Sequence, residues 1–253
     1  MEFTGKTILL TGASSGIGKA LTEKLSKENC KLILCARRLD LLEKFRDEQK
    51  YSADIFPFKC DVSNKEEVKN TYEIIKKEIG KIDLAILNAG VGYRMNLENF
   101  NSKFAEETFG VNFFGLIYWI ENLIPDFLRR KNGIIAGVSS LADNRGYSKS
   151  GFYCASKAAA TIFLEGLRVE LKPHGIKVIT IKPGFVKTPM TDKNEFKMPF
   201  LISAEKAADI ILKGIKKEKR IIQFPLPTVI SSRLIGCMPS NLYEFLMLHF
   251  NKK

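Results

Sequence analysis

The sequence predicts an α/β protein: a doubly wound parallel sheet with helices on both faces. Two observations carry this. Short apolar runs alternate with segments whose apolar residues recur at helical spacing, and each helical segment is about 10 to 20 residues long, enough for right-handed crossovers between parallel strands. The first apolar run, Ile8 to Leu10, passes through a glycine-rich turn (Thr11-Gly12-Ala13-Ser14-Ser15-Gly16-Ile17-Gly18) into a helical pattern of Ile17, Leu21 and Leu25.

In chain order, Lys31 to Ala36 reads as a second strand, followed by a helix over about 39–51. Ile55 to Cys60 is a third strand, and Asn64 to about Ile79 a helix. Leu84 to Leu87 is a fourth strand, ending in Asn88-Ala89-Gly90. A long helical stretch covers about 103–130, expected to break near Pro125. Gly133 to Ser139 is a fifth strand, Tyr153 to Leu171 a helix, Lys177 to Ile181 a sixth strand, and about 204–218 a helix. No linker, repeat or low-complexity run interrupts the chain, so one domain over 1–253 is expected.

Composition narrows the function classes. An apolar fraction of 45% with 27% charged residues fits a globular protein. Five cysteines (Cys30, Cys35, Cys60, Cys154, Cys237) form no C-x-x-C pair, and no secretory leader pattern opens the chain. Both point to a reducing, cytoplasmic setting. Only His174 and His249 are histidines, which argues against a zinc site. The net charge of +12 is spread along helix faces without a nucleic-acid motif, so no nucleic-acid partner is expected. The apolar stretch 221–250 carries Arg233, Glu244 and three prolines, too interrupted for a span of about 20 residues. A final strand and helix docked on the core or a partner subunit is the expectation, with a wall of an apolar substrate pocket or peripheral contact to a membrane surface the alternatives.

In a doubly wound sheet ligands sit at the carboxyl ends of the strands. The glycine turn stands at the first such end and admits three readings. Its open helix N-terminus suits a pyrophosphate. Gly12-x-Ser14-x-Gly16 also matches the nucleophile elbow of a serine hydrolase, with His249 late in the chain. Small residues can also simply make a tight turn. Arg37 and Arg38 follow the second strand, where an arginine accommodates a 2′-phosphate and a carboxylate would hold a ribose; Ala36 fills the acidic position. Asp61 with Val62, and Asn88-Ala89-Gly90, follow strands three and four. Ser140 follows strand five, thirteen residues before Tyr153, and Lys157 lies one helical turn beyond Tyr153 on the same face. Moving a phenol from pKa near ~10 to about 7 takes roughly 4 kcal/mol of anion stabilisation, which a nearby ammonium in a dry cleft can supply.

Taken in order, Thr11-Gly12-x-x-x-Gly16-x-Gly18, Asp61, Asn88-Ala89-Gly90, Asn112, Ser140, Tyr153-x-x-x-Lys157 and Pro183-Gly184 resemble the short-chain dehydrogenase/reductase family over about residues 4 to 190. The resemblance implies a Rossmann-type sheet and a nicotinamide cofactor held by Gly12, Ser14, Ser15, Gly16, Ile17 and Gly18. It implies Asp61 and Val62 at the adenine, and Asn88, Ala89 and Gly90 along the cofactor. Pro183, Gly184, Val186 and Thr188 would lie at the nicotinamide. Tyr153 would be the general acid/base, Lys157 would hold the ribose and lower the phenol pKa, Ser140 would orient a carbonyl, and Asn112 would keep a relay water. Arg37 matches the position associated with NADP(H). A homodimer or homotetramer is implied through the helices near 103–130 and 153–171. Residues 189–203 fall where the family has its substrate lid, and Tyr147, Phe152, Phe185, Met190, Phe196 and Phe200 hint at an apolar carbonyl substrate. Leu87 stands where many members have an asparagine, and nothing after Pro189 resembles the Gly-rich tail of the bacterial acyl-carrier-protein reductases. A serine hydrolase using Ser14, or a non-catalytic NADP-binding protein, are the alternatives.

Overall fold

A computed structural model describes residues 1–48, 52–194 and 196–250. Among the described residues one sheet of seven parallel strands runs in the order β3-β2-β1-β4-β5-β6-β7. The strands are β1 (Thr7–Thr11), β2 (Lys31–Ala36), β3 (Asp54–Lys59), β4 (Leu84–Leu87), β5 (Gly133–Val138), β6 (Ile176–Pro183) and β7 (Ile221–Phe224). Winding starts at β1, moves out to β3, then returns to place β4 on the other side of β1. Thr11 and Leu87 therefore end adjacent strands at the switch in strand order, where a cleft opens.

Successive strand residues point to opposite faces, and both faces are apolar because both are covered. Ile8, Leu10, Leu32, Leu34, Leu84 and Ile86 pack against α1 (Gly16–Leu25), α2 (Leu39–Glu48) and α7 (Ala204–Lys216). Leu9, Ile33, Ala85 and Ile135 pack against α3 (Lys65–Glu78), α5 (Gly115–Arg130) and α6 (Gly151–Leu171), where Trp119, Leu123 and Phe127 are buried. The expected end of the second helix at Tyr51 lies outside the described residues, as does residue 195 of the expected lid.

Two expectations change. The break in the long helical stretch is not at Pro125. α4 (Lys103–Phe109) passes into a π-helical turn, Gly110–Phe114, and then into α5, which runs through Pro125 unbroken. Pro125 and Glu121 are both exposed, so the carbonyl that loses its amide partner can meet water instead. The chain end holds one strand and two helices rather than one: β7, then α8 (Leu226–Cys237) and α9 (Ser240–Phe250). Only one side of each helix docks. Val229, Ser232 and Tyr243 are buried, while Leu226, Ile230, Leu234, Leu242, Phe245 and Leu248 face solvent.

Candidate active site

The glycine turn is built for close backbone approach. Gly12 has φ +65°, and a Cβ there would stand 2.8 Å from Ala89 Cα. At Gly18 a Cβ would meet the carbonyl oxygen of Gly12 at 2.0 Å. The turn can thus fold under β4 only with glycine at these positions. Ser15 caps α1 with extended backbone, but its side chain bonds none of the first amides, and the first turn holds no acidic residue. Those N–H groups and the positive end of the helix dipole are left for an anion. Arg38 Nη2 donates to Ser14 Oγ at 3.0 Å, bringing a guanidinium to the turn, and Arg37 stands exposed beside it at the end of β2. Thr188 packs over Gly16, within 3.1 Å of where a Cβ would be. These groups fit the pyrophosphate of a dinucleotide.

The loop after β4 is tied to the same turn. Thr11 Oγ1 accepts from the amides of Asn88 (3.0 Å) and Ala89 (3.1 Å), and Asn88 Nδ2 donates to the Thr11 carbonyl at 3.1 Å. Further along, Asn112 takes the loop in both directions: Oδ1 accepts from the Val91 amide at 2.8 Å and Nδ2 donates to the Val91 carbonyl at 2.9 Å. Nδ2 also donates to Ser156 Oγ at 3.0 Å, joining the loop to α6. The π-helical turn is what presents this buried side chain. Both polar atoms of the Asn112 amide thus hydrogen-bond protein groups, and the side chain clamps the loop after β4 to α6.

Ser140, Tyr153 and Lys157 meet at the mouth of the cleft. Ser140 follows β5 and accepts from the Ala142 amide at 3.1 Å; its hydroxyl also hydrogen-bonds the Tyr153 phenol. Lys157 is buried at 3% exposure, with Nζ donating to the Val138 carbonyl at 2.9 Å. No carboxylate pairs with it among the described residues. Burial alone takes its pKa from lysine's usual 10.5 to about 8. The ammonium lies 5.8 Å from the Tyr153 ring centroid. Burial pushes the Tyr153 phenol above its ordinary value, outweighing the Ser140 hydrogen bond that favours the anion. The lowered phenol pKa implied by the resemblance is thus not found in this state, in which Nζ is turned to a backbone carbonyl. Gly90 passes close to both Lys157 Nζ and Asn112 Oδ1, and Gly92 lies against Tyr153 and Met190, so the β4 loop connects the glycine turn to these side chains.

The remaining candidates sit at the same carboxyl edge. Asp61 Oδ1 accepts from the Ser63 amide and hydroxyl, and Val62 is buried beneath Gly115. Asp61 does not cap α3; Asn64 does. Pro183 ends β6, the Gly184 amide donates to the Phe224 carbonyl, and Val186 is buried and bridged to Ile202. The hydrolase reading gains nothing: Ser14 is engaged by Arg38, and His249 Nδ1 faces the Phe245 carbonyl.

The sequence reading missed a buried network behind the site. Ser139 Oγ donates to the Lys157 carbonyl at 2.8 Å and meets Thr161 Oγ1 at 2.7 Å. Thr161 in turn donates to Asp143, which pairs with Lys182 at 2.7 Å. This network anchors α6 to β5 and β6. Only the adjacency of Ser139 to Ser140 signalled it, because pairing between residues distant in sequence leaves no local pattern.

The fold and this edge define a nucleotide-binding oxidoreductase of the Rossmann type. The short chain dehydrogenase family profile matches residues 6–198, and the chain belongs to that family. An uncharacterized oxidoreductase of Myxococcus xanthus (strain DK1622) is 34% identical over 244 residues, covering 96% of each chain. The NADP-dependent 3-hydroxy acid dehydrogenase of Schizosaccharomyces pombe (strain 972 / ATCC 24843) is 32% identical over 232 residues, 86% of this chain and 90% of that one. A short chain dehydrogenase/reductase from Burkholderia phymatum, crystallised in complex with NAD, superposes with a TM-score of 0.83 at 25% identity, covering 92% of this chain and 94% of the other.

Proposed function

We propose that the protein is an NADP(H)-dependent reductase of apolar ketones, with Tyr153 as its general acid. The observation that carries this is the buried, unpaired Lys157 ammonium beside Tyr153 and Ser140, at the end of a loop hydrogen-bonded to an uncapped glycine turn. When bound, the nicotinamide nucleotide supplies the hydride. Gly12 to Gly18 hold its phosphates, Asp61 and Val62 border the adenine, and Asn88 to Gly90 with Pro183, Gly184, Val186 and Thr188 line its path. Lys157 binds the nicotinamide ribose. Ser140 donates to the substrate carbonyl oxygen, and Tyr153 Oη gives that oxygen its proton, so the alcohol leaves neutral. The remaining phenolate stands near the Lys157 ammonium in a low-dielectric cleft, which stabilises it. In the oxidative direction the same phenolate takes the proton back.

Arg37 and Arg38 support NADP(H) over NAD(H), since both offer a cation just after Ala36, which fills the position of a ribose-binding carboxylate. Met190, which meets Gly92 beside Tyr153, is exposed and apolar, as are Phe196, Phe200 and Leu201 further along the same segment, and these support an apolar substrate. Exposed Phe114 in the π-helical turn and exposed Ile162 and Val169 on α6 support a homodimer or homotetramer through that side. We place the protein in the cytoplasm, the reducing compartment that suits its free cysteines. The test is NADPH consumption across apolar ketones and 3-keto acids with Tyr153→Phe as comparison. The variant is expected to bind NADPH normally and lose on the order of 10²- to 10⁴-fold in kcat. Wild-type turnover in the variant would exclude Tyr153 as the acid.

A further inference from the structure

The C-terminal helices carry more apolar surface than the core uses. α8 is apolar on two sides. Val229 and Ser232 face inward, with the Ser232 hydroxyl donating to the Leu141 carbonyl at 3.0 Å. Leu226, Ile230 and Leu234, one helical turn apart, face outward at 70%, 52% and 67% exposure. α9 adds Leu242, Phe245 and Leu248, all exposed. Both helices are fixed by Arg145, which donates to the Ile235 and Met238 carbonyls and stacks on Tyr243. The exposed side chains therefore stand on a rigid support.

Leu226 joins this ridge to a groove of about 360 Å³ along the exposed edge strand β7, floored by Ile210, Ile221, Ile222 and Val229. The rim holds Lys213, Lys217, Lys219 and Arg233. Among the described residues none of these four cations has a carboxylate partner. Glu218, the acid in that segment, is engaged by Lys177 and the chain's amino terminus. An apolar ridge beside an unneutralised cationic rim matches the layering of an anionic lipid surface, with hydrocarbon to receive leucines and headgroups to receive lysines. A second copy of this chain fits poorly, because a two-fold contact through this face would set the two cationic rims against each other.

We propose that α8, α9 and the β7 groove dock the protein on anionic phospholipid bilayers, with Leu226, Ile230 and Leu234 entering the interface and Lys213, Lys217 and Lys219 contacting headgroups. This surface stands apart from the substrate reading and does not depend on it. The test is flotation of the full-length protein with phosphatidylcholine vesicles, with and without phosphatidylglycerol, at low and raised salt, beside light scattering without lipid. The protein is expected to float only with phosphatidylglycerol and to be released by salt. Leu226→Ser with Ile230→Ser and Leu234→Ser should abolish flotation while circular dichroism and NADPH turnover stay unchanged. Each of Lys213→Gln, Lys217→Gln and Lys219→Gln should weaken partitioning about five-fold, and these exposed changes keep the test open if the triple variant does not fold. No flotation with phosphatidylglycerol, flotation that survives the serine changes, or a lipid-free oligomer that those changes turn monomeric would each overturn the proposal.

Discussion

Two helices begin at the carboxyl edge of the same sheet and are finished in opposite ways. At α3, Asn64 Oδ1 accepts from the Glu66 and Glu67 amides at 3.1 and 3.2 Å, two acids sit in the first turn, and Glu67 reaches back to the Asp61 amide at 2.9 Å. The chain's own side chains serve that helix start. At α1 it supplies none from the cap side chain and no first-turn acid, and spends three glycines on the approach instead. The same contrast holds for two lysines. Lys182 is paired with the buried Asp143, whereas Lys157, more deeply buried, has only a backbone carbonyl. Where the fold completes its own polar groups it is building structure. Where it leaves a buried cation and an open helix end on one cleft, it is prepared for a partner it does not contain.

The largest expected effect is at Lys157. A lysine held at about 8 instead of 10.5 costs the unliganded protein about 3 kcal/mol at neutral pH. The sign follows from the depressed value. Below pH 8 both folded and unfolded chains hold the proton and the cost is present in full. Between pH 8 and 10.5 the folded chain has released it and the unfolded chain has not, so stability rises with pH across that window. Lys157→Met is expected to raise the denaturation midpoint at pH 7, to lose this rise, and to abolish turnover. Equal midpoints for variant and wild type at pH 7 would show that Lys157 is not an unserved charge.

Next comes the turn. Gly18→Ala sets a methyl 2.0 Å from the Gly12 carbonyl oxygen, and the turn must shift away from the β4 loop. A displacement of about 1 Å in a positioned site costs on the order of 100-fold, so kcat/KM for NADPH should fall by that order, read by steady-state kinetics. Unchanged kinetics would mean that the turn carries no cofactor. A smaller effect is expected at Arg37→Asp, which replaces a cation by the carboxylate that suits a free ribose. The NADPH to NADH affinity ratio should drop at least about ten-fold, corresponding to one charge-assisted hydrogen bond of roughly 1.5–3 kcal/mol. A ratio that does not move would take the 2′-phosphate away from Arg37.

The contrast also explains what could be read from the sequence. The inner strands were legible because they are buried on both faces and so form apolar runs. The glycine turn and the cluster of Ser140, Tyr153 and Lys157 were legible because each shows its residue types at a fixed local spacing. Three features were not. Pro125 is a strong local breaker, yet its exposed side of α5 makes it tolerable, while the real irregularity at Gly110–Phe114 exists to present Asn112 to a loop some twenty residues earlier. The Ser139–Thr161–Asp143–Lys182 network is assembled from four elements and has no spacing rule. The outer face of α8 was hidden because an apolar residue in sequence does not say whether it meets core or solvent.

The smallest effect sharpens the comparison from the closed side. Asn64→Ala removes the acceptor for two amides, and loss of such a cap costs about 1 kcal/mol. The loop beside it should hold: Asn64 Nδ2 also donates to Glu67 Oε1 at 3.3 Å, but the Asp61 amide is bonded by the other carboxylate oxygen, and the Asp61 bonds to Ser63 do not involve Asn64. The denaturant midpoint is therefore expected to fall while NADPH affinity stays within about two-fold, less than 0.5 kcal/mol. The opposite pattern, an intact midpoint with weakened NADPH, would make the start of α3 part of the binding site and erase the distinction between the two helix ends. A fall in both together would place the cap and the Asp61 loop in one unit, and the double variant Asn64→Ala with Asp61→Ala would then lose less than the sum of the two.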